Sequence, residues 1–269
     1  MHNNDVFSLK MMTSGGGQVS GSSSSAFKLE LGEQPEGYGL AQLDDYHHLP
    51  RSDFNWQPPV HMKLQARASI PEPTGTLGFG FWNDPFTLSI GQAGAARRLP
   101  VSPQAAWFFY ASPPNDIRLA PPLPGHGWKA AVLRAPTIPS LLLAPGALGA
   151  ILAAQIPILR QAVMKLAIRA VDSEETILEA ALDQTHTYEL HWEEHNVRFS
   201  VDHREVLSSA VMPQAPLGFV AWIDNQYAVA SASGGFRFGV IPTSRGQALE
   251  LTDLRINNRA ATTSGKGHA

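Results

Sequence analysis

The 269-residue chain reads as all-β, an antiparallel β-sandwich interrupted by one helical insertion around 139–171. Three observations carry that expectation. Glycine and proline, 23 and 21 in number, punctuate the chain at short intervals. The segments between them alternate apolar and polar residues with the period of two that a strand with one buried face requires. A hydrophobic content of 43% supplies enough apolar side chain for a core between two sheets.

Taken in chain order, the alternation predicts strands over 27–31, 61–69, 78–82, 105–111, 128–133, 187–192, 197–202, 217–223, 236–240 and 248–256. The clearest pair is "TYELHWEEHNVRFSVD", a hairpin in which Tyr188, Leu190 and Trp192 share a face with Val197, Phe199 and Val201 across the loop 193–196. The opposite face sets Glu189, His191 and Glu193 against Arg198, Ser200 and Asp202, a composition suited to cross-strand charge pairing in water. Residues 13–25 and 261–269 have linker composition, so the expected organisation is a flexible segment over 1–25, a single sandwich domain over 26–259 and a flexible tail over 260–269.

The insertion 139–171 is rich in Ala, Leu and Ile and is divided by Pro157. Its second half repeats Arg160, Gln161, Lys165 and Arg169 at helical spacing and is amphipathic. A bilayer span needs about 20 uninterrupted apolar residues, and the prolines and Arg160 break this run. No transmembrane span is expected; the segment is read as a helix packed across the sandwich, a contact between copies in a homo-oligomer, a lid over a cleft, or a peripheral membrane contact.

Bulk charge narrows the partners. A net charge of −3 with 16% charged residues offers no basic field for a phosphate backbone, so nucleic acid is not expected. The absence of cysteine excludes disulfides and thiolate metal clusters. The N-terminus lacks a basic region followed by a 7–15-residue apolar run, so a cytoplasmic location is the default expectation. No cofactor and no metal are expected. Glu189, His191 and Glu193 have ligand chemistry but read as a charged face, His126 between glycines reads as a loop residue, and the run "DDYHH" (44–48) reads as a solvated cluster in a proline-bounded loop.

Two stretches carry a family resemblance. "HMKLQARASIPEPTGTLGFGFW" resembles the early strand pair of concanavalin A-like sandwiches, and "THTYELHWEEHNVRFSVDHREV" resembles the His-x-Tyr-x-x-x-Trp hairpin of the laminarinase and lichenase type of glycoside hydrolase, with His186, Tyr188 and Trp192 in those positions. "ALELTDLRI" resembles the closing strand. The resemblance, running over roughly 60–256, implies a jelly-roll sandwich. It also implies a Glu-x-Asp-x-Glu motif on the strand after the Gly-aromatic one, where same-face carboxylates about 7 Å apart could flank one glycosidic bond. The corresponding strand here, "AAWFFYAS" (105–112), contains no carboxylate. The resemblance therefore supports the fold and speaks against the retaining glycosidase mechanism.

In such a sandwich the strands 78–82, 105–111 and 217–223 contribute to the concave sheet, and their polar ends surround a groove: Trp82, Asn83 and Asp84; Trp107, Tyr110 and Ser112; Trp222, Asp224, Asn225, Gln226 and Tyr227. "FWNDPF" and "AWIDNQY" finish alike, each with an indole, an aspartate and amides. Indoles stack on sugar rings and amides fix hydroxyl groups, which fits a non-hydrolytic protein that binds a glycan or another hydroxylated small molecule. Asn-Asp-Pro and Asp-Asn are also ordinary turn formers. A second reading is a non-glycosidase enzyme, a cyclase, isomerase or lyase, with Asp84 or Asp224 as general acid or base. A third is an interaction protein working through the apolar segment 139–171.

Overall fold

The computed structural model describes residues 8–85, 98, 101–117, 122–136, 171–231 and 235–258. Strands are numbered along the chain. One sheet, here the front sheet, has the order β1 (Lys10–Ser14), β4 (Leu40–Asp44), β14 (Gly218–Asp224), β6 (Thr76–Trp82), β7 (Gln104–Ala111), β9 (Gly127–Arg134) and β10 (Asp172–Ile177). The back sheet has the order β13 (Arg204–Ser209), β12 (Val197–Val201), β11 (His186–Trp192), β5 (Val60–Ala68), β17 (Gln247–Asn258), β3 (Ala26–Leu31) and β2 (Gly17–Ser23). All pairs within both sheets are antiparallel. A small third sheet pairs β16 (Gly235–Val240) with β15 (Gln226–Ser231), which runs parallel to β8 (Asp116–Ile117).

The sheets face each other because their strands turn every second residue toward a common apolar core. In β5 the buried set is Val60, Met62, Leu64, Ala66 and Ala68; in β12 it is Val197, Phe199 and Val201. Rings interlock across the layers: Phe79 meets Tyr188 at 5.1 Å, Phe108 meets Phe199 edge-on at 5.2 Å, and Phe81 meets Trp192 at 6.2 Å between centroids. The hairpin forms in the expected register, Tyr188 opposite Val201, Leu190 opposite Phe199 and Trp192 opposite Val197, with the Glu193 N–H donating to the Asn196 carbonyl across the loop.

The N-terminus corrects the expectation of a flexible segment over 1–25. Residues 10–14 pair with β4 in the front sheet and 17–23 with β3 in the back sheet. Ladder hydrogen bonds come from the backbone and need no apolar side chain, so a Gly/Ser-rich stretch joins a sheet wherever a partner edge is open. The glycines serve the corner between the sheets: Gly15 has φ +55°, and a Cβ on Gly17 would crowd the Ala41 amide at 3.0 Å. The helical insertion expected around 139–171 lies, apart from Val171, outside the described residues, as does the tail from 259 onward. The only helical element among the described residues is one 3-10 turn, Arg51–Asp53.

Phe79 is fully buried and its ring meets Phe108, Trp128 and Tyr188. Phe79→Ala should lower the free energy of unfolding by about 3–5 kcal/mol, measured by urea denaturation. A loss below about 1 kcal/mol would show that the two layers do not interlock there.

Candidate functional site

The stretch "TLGFGFW" builds both faces of β6. Leu77, Phe79 and Phe81 point into the core, so Gly78 and Gly80 point outward and leave the outer surface of the front sheet bare along its centre. Neighbouring strands fill that bareness. Trp222 stands opposite Gly78, and Trp107 stands opposite Gly80. A Cβ on Gly78 would come within 2.8 Å of the Trp222 ring, one on Gly80 (φ +151°) within 2.7 Å of the Trp107 Cβ, and one on Gly218 within 2.8 Å of the Tyr46 Cβ. The glycines are the floor on which the aromatic side chains lie.

On this floor Trp82, Trp107, Phe109 and Trp222, all half-buried, form one aromatic cluster. Trp82 and Trp222 lie nearly parallel, 9° between planes with centroids 6.4 Å apart; Trp107 reaches Trp82 at 5.9 Å, Trp222 at 5.6 Å and Phe109 at 5.6 Å. Trp82 and Trp222 belong to register positions four residues, about 14 Å, apart along the strands. Their rings meet over the row of Gly80 and Val220, where both indoles pack against the buried cluster that includes Val220. Two indoles have their N–H groups satisfied: Trp82 Nε1 donates to Tyr46 Oη (2.6 Å) and Trp222 Nε1 to Thr76 Oγ1 (2.9 Å). The Trp107 Nε1–H is buried and has no acceptor among the described residues.

Asp224 lies at one end of the cluster, on the outward face two residues beyond Trp222. Thr76 Oγ1 donates to its Oδ1 at 2.7 Å, and the Gln226 amide donates to the same oxygen at 3.2 Å, so Trp222, Thr76 and Asp224 form one hydrogen-bonded chain. Burial pushes its carboxyl up to about 6, against the opposing pull of these donors. A second outward carboxylate, Asp44, stands in the row of Trp107 and Gly80. Gln42 Nε2 donates to its Oδ2 at 2.9 Å, and the amides of His47 (2.8 Å) and Tyr46 (3.2 Å) donate to Oδ1. Burial raises this carboxyl as well.

Two of the expected features are overturned in detail. "DDYHH" is no solvated loop: Asp44, Asp45, Tyr46 and His47 are all buried, because Asp44 caps the amides that follow it while Asp45 accepts from Trp56 Nε1 (2.5 Å) and the Phe219 amide (2.8 Å). The likeness of "FWNDPF" and "AWIDNQY" does not make one pocket of their ends. β6 and β14 are antiparallel neighbours, Trp82 pairing with Gly218 and Asp224 with Thr76, so Asp84 and Asp224 lie at opposite ends, about 27 Å apart along the strand axis.

Of the expected ligand residues the structure gathers Trp82, Trp107 and Trp222. Asn83 is a clasp, donating to the Ser102 carbonyl (2.8 Å) and accepting from the Gln104 amide (3.0 Å). Asp84, at φ +45°, pairs with the buried Arg98 at 2.8 Å, and Arg98 also donates to the Tyr46 and Leu49 carbonyls. Tyr110 points inward to the core beside Leu77 and Trp128. Ser112 accepts from the Gly75 amide (2.9 Å), and Asn225 ties the Gly39 amide to the Gly37 and Ile241 carbonyls. Gln226 and Tyr227 begin β15, in the third sheet. Sequence reading missed Phe109, which the period of two from Trp107 points to, and Gln42, Asp44, Tyr46 and Thr76, whose place depends on strand order.

These features define a two-layer jelly-roll sandwich with an aromatic, glycine-floored outer face. No family model matches the sequence, and no curated protein matches it. Among solved structures the neighbours include laminarinase and family 16 glycoside hydrolase sandwiches, all at low identity. A family 16 endo-glucanase from Bacteroides ovatus is 10% identical with a TM-score of 0.48, covering 95% of this chain and 97% of that one. The catalytic domain of an endo-1,3-beta-glucanase (laminarinase) from Thermotoga petrophila RKU-1 is 10% identical with a TM-score of 0.44, covering 87% and 78%. The alginate lyase AlyC3 is 12% identical with a TM-score of 0.40, covering 86% and 74%.

Because the Asp224 carboxyl rises from 3.8 unfolded to about 6 folded, the native state holds more protons than the unfolded state between those values, and stability falls as pH rises through that window. The contribution is up to about 3 kcal/mol. Asp224→Asn, which keeps the acceptor for Thr76, should flatten that part of the profile in urea unfolding at pH 4.5 and pH 7. An unchanged slope would mean that Asp224 is not desolvated.

Proposed function

We propose that the protein binds a glycan or another hydroxylated small molecule, without hydrolysing it, on the outward face of β14, β6 and β7. The observation that carries this reading is the contiguous cluster of Trp82, Trp107, Phe109 and Trp222 over Gly78 and Gly80. Indole faces stack on sugar rings, and the surrounding donors and acceptors, Gln42, Thr76 and the Nε1–H of Trp107, which has no acceptor among the described residues, suit hydroxyl groups. Hydrolysis finds little support: the outward positions of β7 are Ala105, Trp107, Phe109 and Ala111. Asp44 and Asp224 stand about 14 Å apart along β14, wider than the roughly 5–9.5 Å between carboxyls that flank a glycosidic bond.

One observation favours a second reading, a non-glycosidase enzyme: a buried carboxyl at about 6 beside the aromatic cluster has the titration range of a general acid or base. That role narrows to Asp224, since the Asp84 carboxylate is committed to Arg98. The reading in which 139–171 is an oligomer, partner or membrane contact concerns residues outside those described. Among the described residues no helix is long and apolar enough to cross a membrane.

Titration with a panel of neutral and uronic oligosaccharides, read by tryptophan fluorescence, tests the proposal. Trp107→Ala should weaken binding at least about tenfold, from the loss of one stacked ring, with the near-native circular dichroism retained. Asp224→Asn should leave a binder within about twofold of its affinity, whereas an acid/base enzyme would lose about 100-fold or more in turnover. Absence of saturable quenching by every oligosaccharide would overturn the glycan reading.

A further inference from the structure

We propose that the outward face of the back sheet carries a zinc-class divalent metal site formed by His61, Glu189 and His191. The sequence places Glu189 and His191 two residues apart on β11, hence on one face, and the register places His61 of β5 directly opposite His191. One ligand atom from each of the three lies within 4.8 Å of the other two. Glu193, the third member of the cluster that the sequence suggests, lies beyond the end of β11 and its carboxylate faces Arg198 at 4.0 Å.

The two oxygens of Glu189 have different neighbours. Oε1 accepts from Lys63 Nζ and faces His203 Nδ1, both at 3.0 Å. Oε2 faces the imidazoles, 3.4 Å from His61 Nε2 and 3.7 Å from His191 Nε2. Zinc bonds of about 2.0–2.1 Å in tetrahedral geometry set ligand atoms roughly 3.3 Å apart. The two edges of the triangle that meet at Oε2 therefore approach a metal polyhedron before any metal is added. Lys63 and His203 hold Oε1 and so orient the carboxylate, the part that outer hydrogen bonds play around metal ligands. The imidazoles stack at 4.0 Å with 16° between planes, so both Nε2 atoms lie on the same side of the pair, toward Glu189 Oε2. Two imidazoles and a carboxylate, with positions left for water, suit zinc or cobalt over calcium or magnesium, which prefer all-oxygen cages. All three side chains are only 14–20% exposed, so the site is partly shielded yet open to entry from solvent.

The test is calorimetric titration of the full chain with Zn2+, with Co2+ absorption as an independent readout and Ca2+ and Mg2+ in parallel. One Zn2+ per chain is expected, with the intense visible bands of four- or five-coordinate Co2+ and no comparable uptake of Ca2+. His61→Ala, His191→Ala and the near-isosteric Glu189→Gln should each weaken binding at least about tenfold, whereas His126→Ala should not. Binding that survives all three substitutions would place the metal on other histidines and overturn the site, as would failure to take up Zn2+ at all. The Glu189→Gln variant, which retains the shape of the hydrogen-bonded network, separates loss of a ligand from loss of the fold.

Discussion

One strand has to be bulky on one side and bare on the other, and much of this molecule follows from that. The inward residues of β6, Leu77, Phe79 and Phe81, fill the space between two sheets whose backbones stand about 10 Å apart. Each such side chain contributes about 1.5–3 kcal/mol on burial. The outward residues are Gly78 and Gly80, and they admit Trp222 and Trp107 into van der Waals range of the backbone. The core and the aromatic face are thus two sides of one alternation. Packing on the inside fixes the backbone of β6, and its side-chain-free outer positions set how closely the indoles approach it.

Antiparallel pairing then decides which polar groups join the indoles. Adjacent antiparallel strands with the same terminal chemistry present it at opposite ends, so Asp84 and Asp224 divide into different roles. Asp84 and Asn83 brace the turn after β6 through Arg98, Ser102 and Gln104. Asp224 stays beside Trp222 and Thr76, where burial raises its carboxyl. Asp44 and Asp45 each satisfy backbone amides from inside the protein, which is how a chain with few charges accommodates buried carboxylates.

The legible part of the fold was the part written in period two with large side chains. β5, β6, β7, β9, β11, β12, β14 and β17 have strong alternation, and their existence could be read from residues such as Tyr188, Leu190 and Trp192. β1, β2 and β13 are short or polar and pair at or beside the sheet edges, and β4 is only five residues long, so their place depends on the neighbouring strands more than on a pattern of their own. The site was legible to the extent that Trp82, Trp107 and Trp222 stand on strands that proved to be adjacent. Tyr110 was misjudged by one residue of phase: positions 107 and 109 face out, so 110 faces in. Asn225 has the composition of a ligand-binding amide, but its partners, Gly37, Gly39 and Ile241, come from loops whose position no local pattern encodes.

The two outer faces differ in chemistry. The front face is aromatic along its centre, whereas the back face concentrates Lys63, Glu189, His61, His191 and His203. Between them lies a continuous apolar core. Coupling between the faces would have to pass through the register of β5 and β11 against the ring contacts of Tyr188 and Trp192 with Phe79 and Phe81. Such close-packed contacts transmit displacement, so a shift of β11 on the back face reaches the front sheet through Tyr188 and Trp192, the inward residues that alternate with Glu189 and His191.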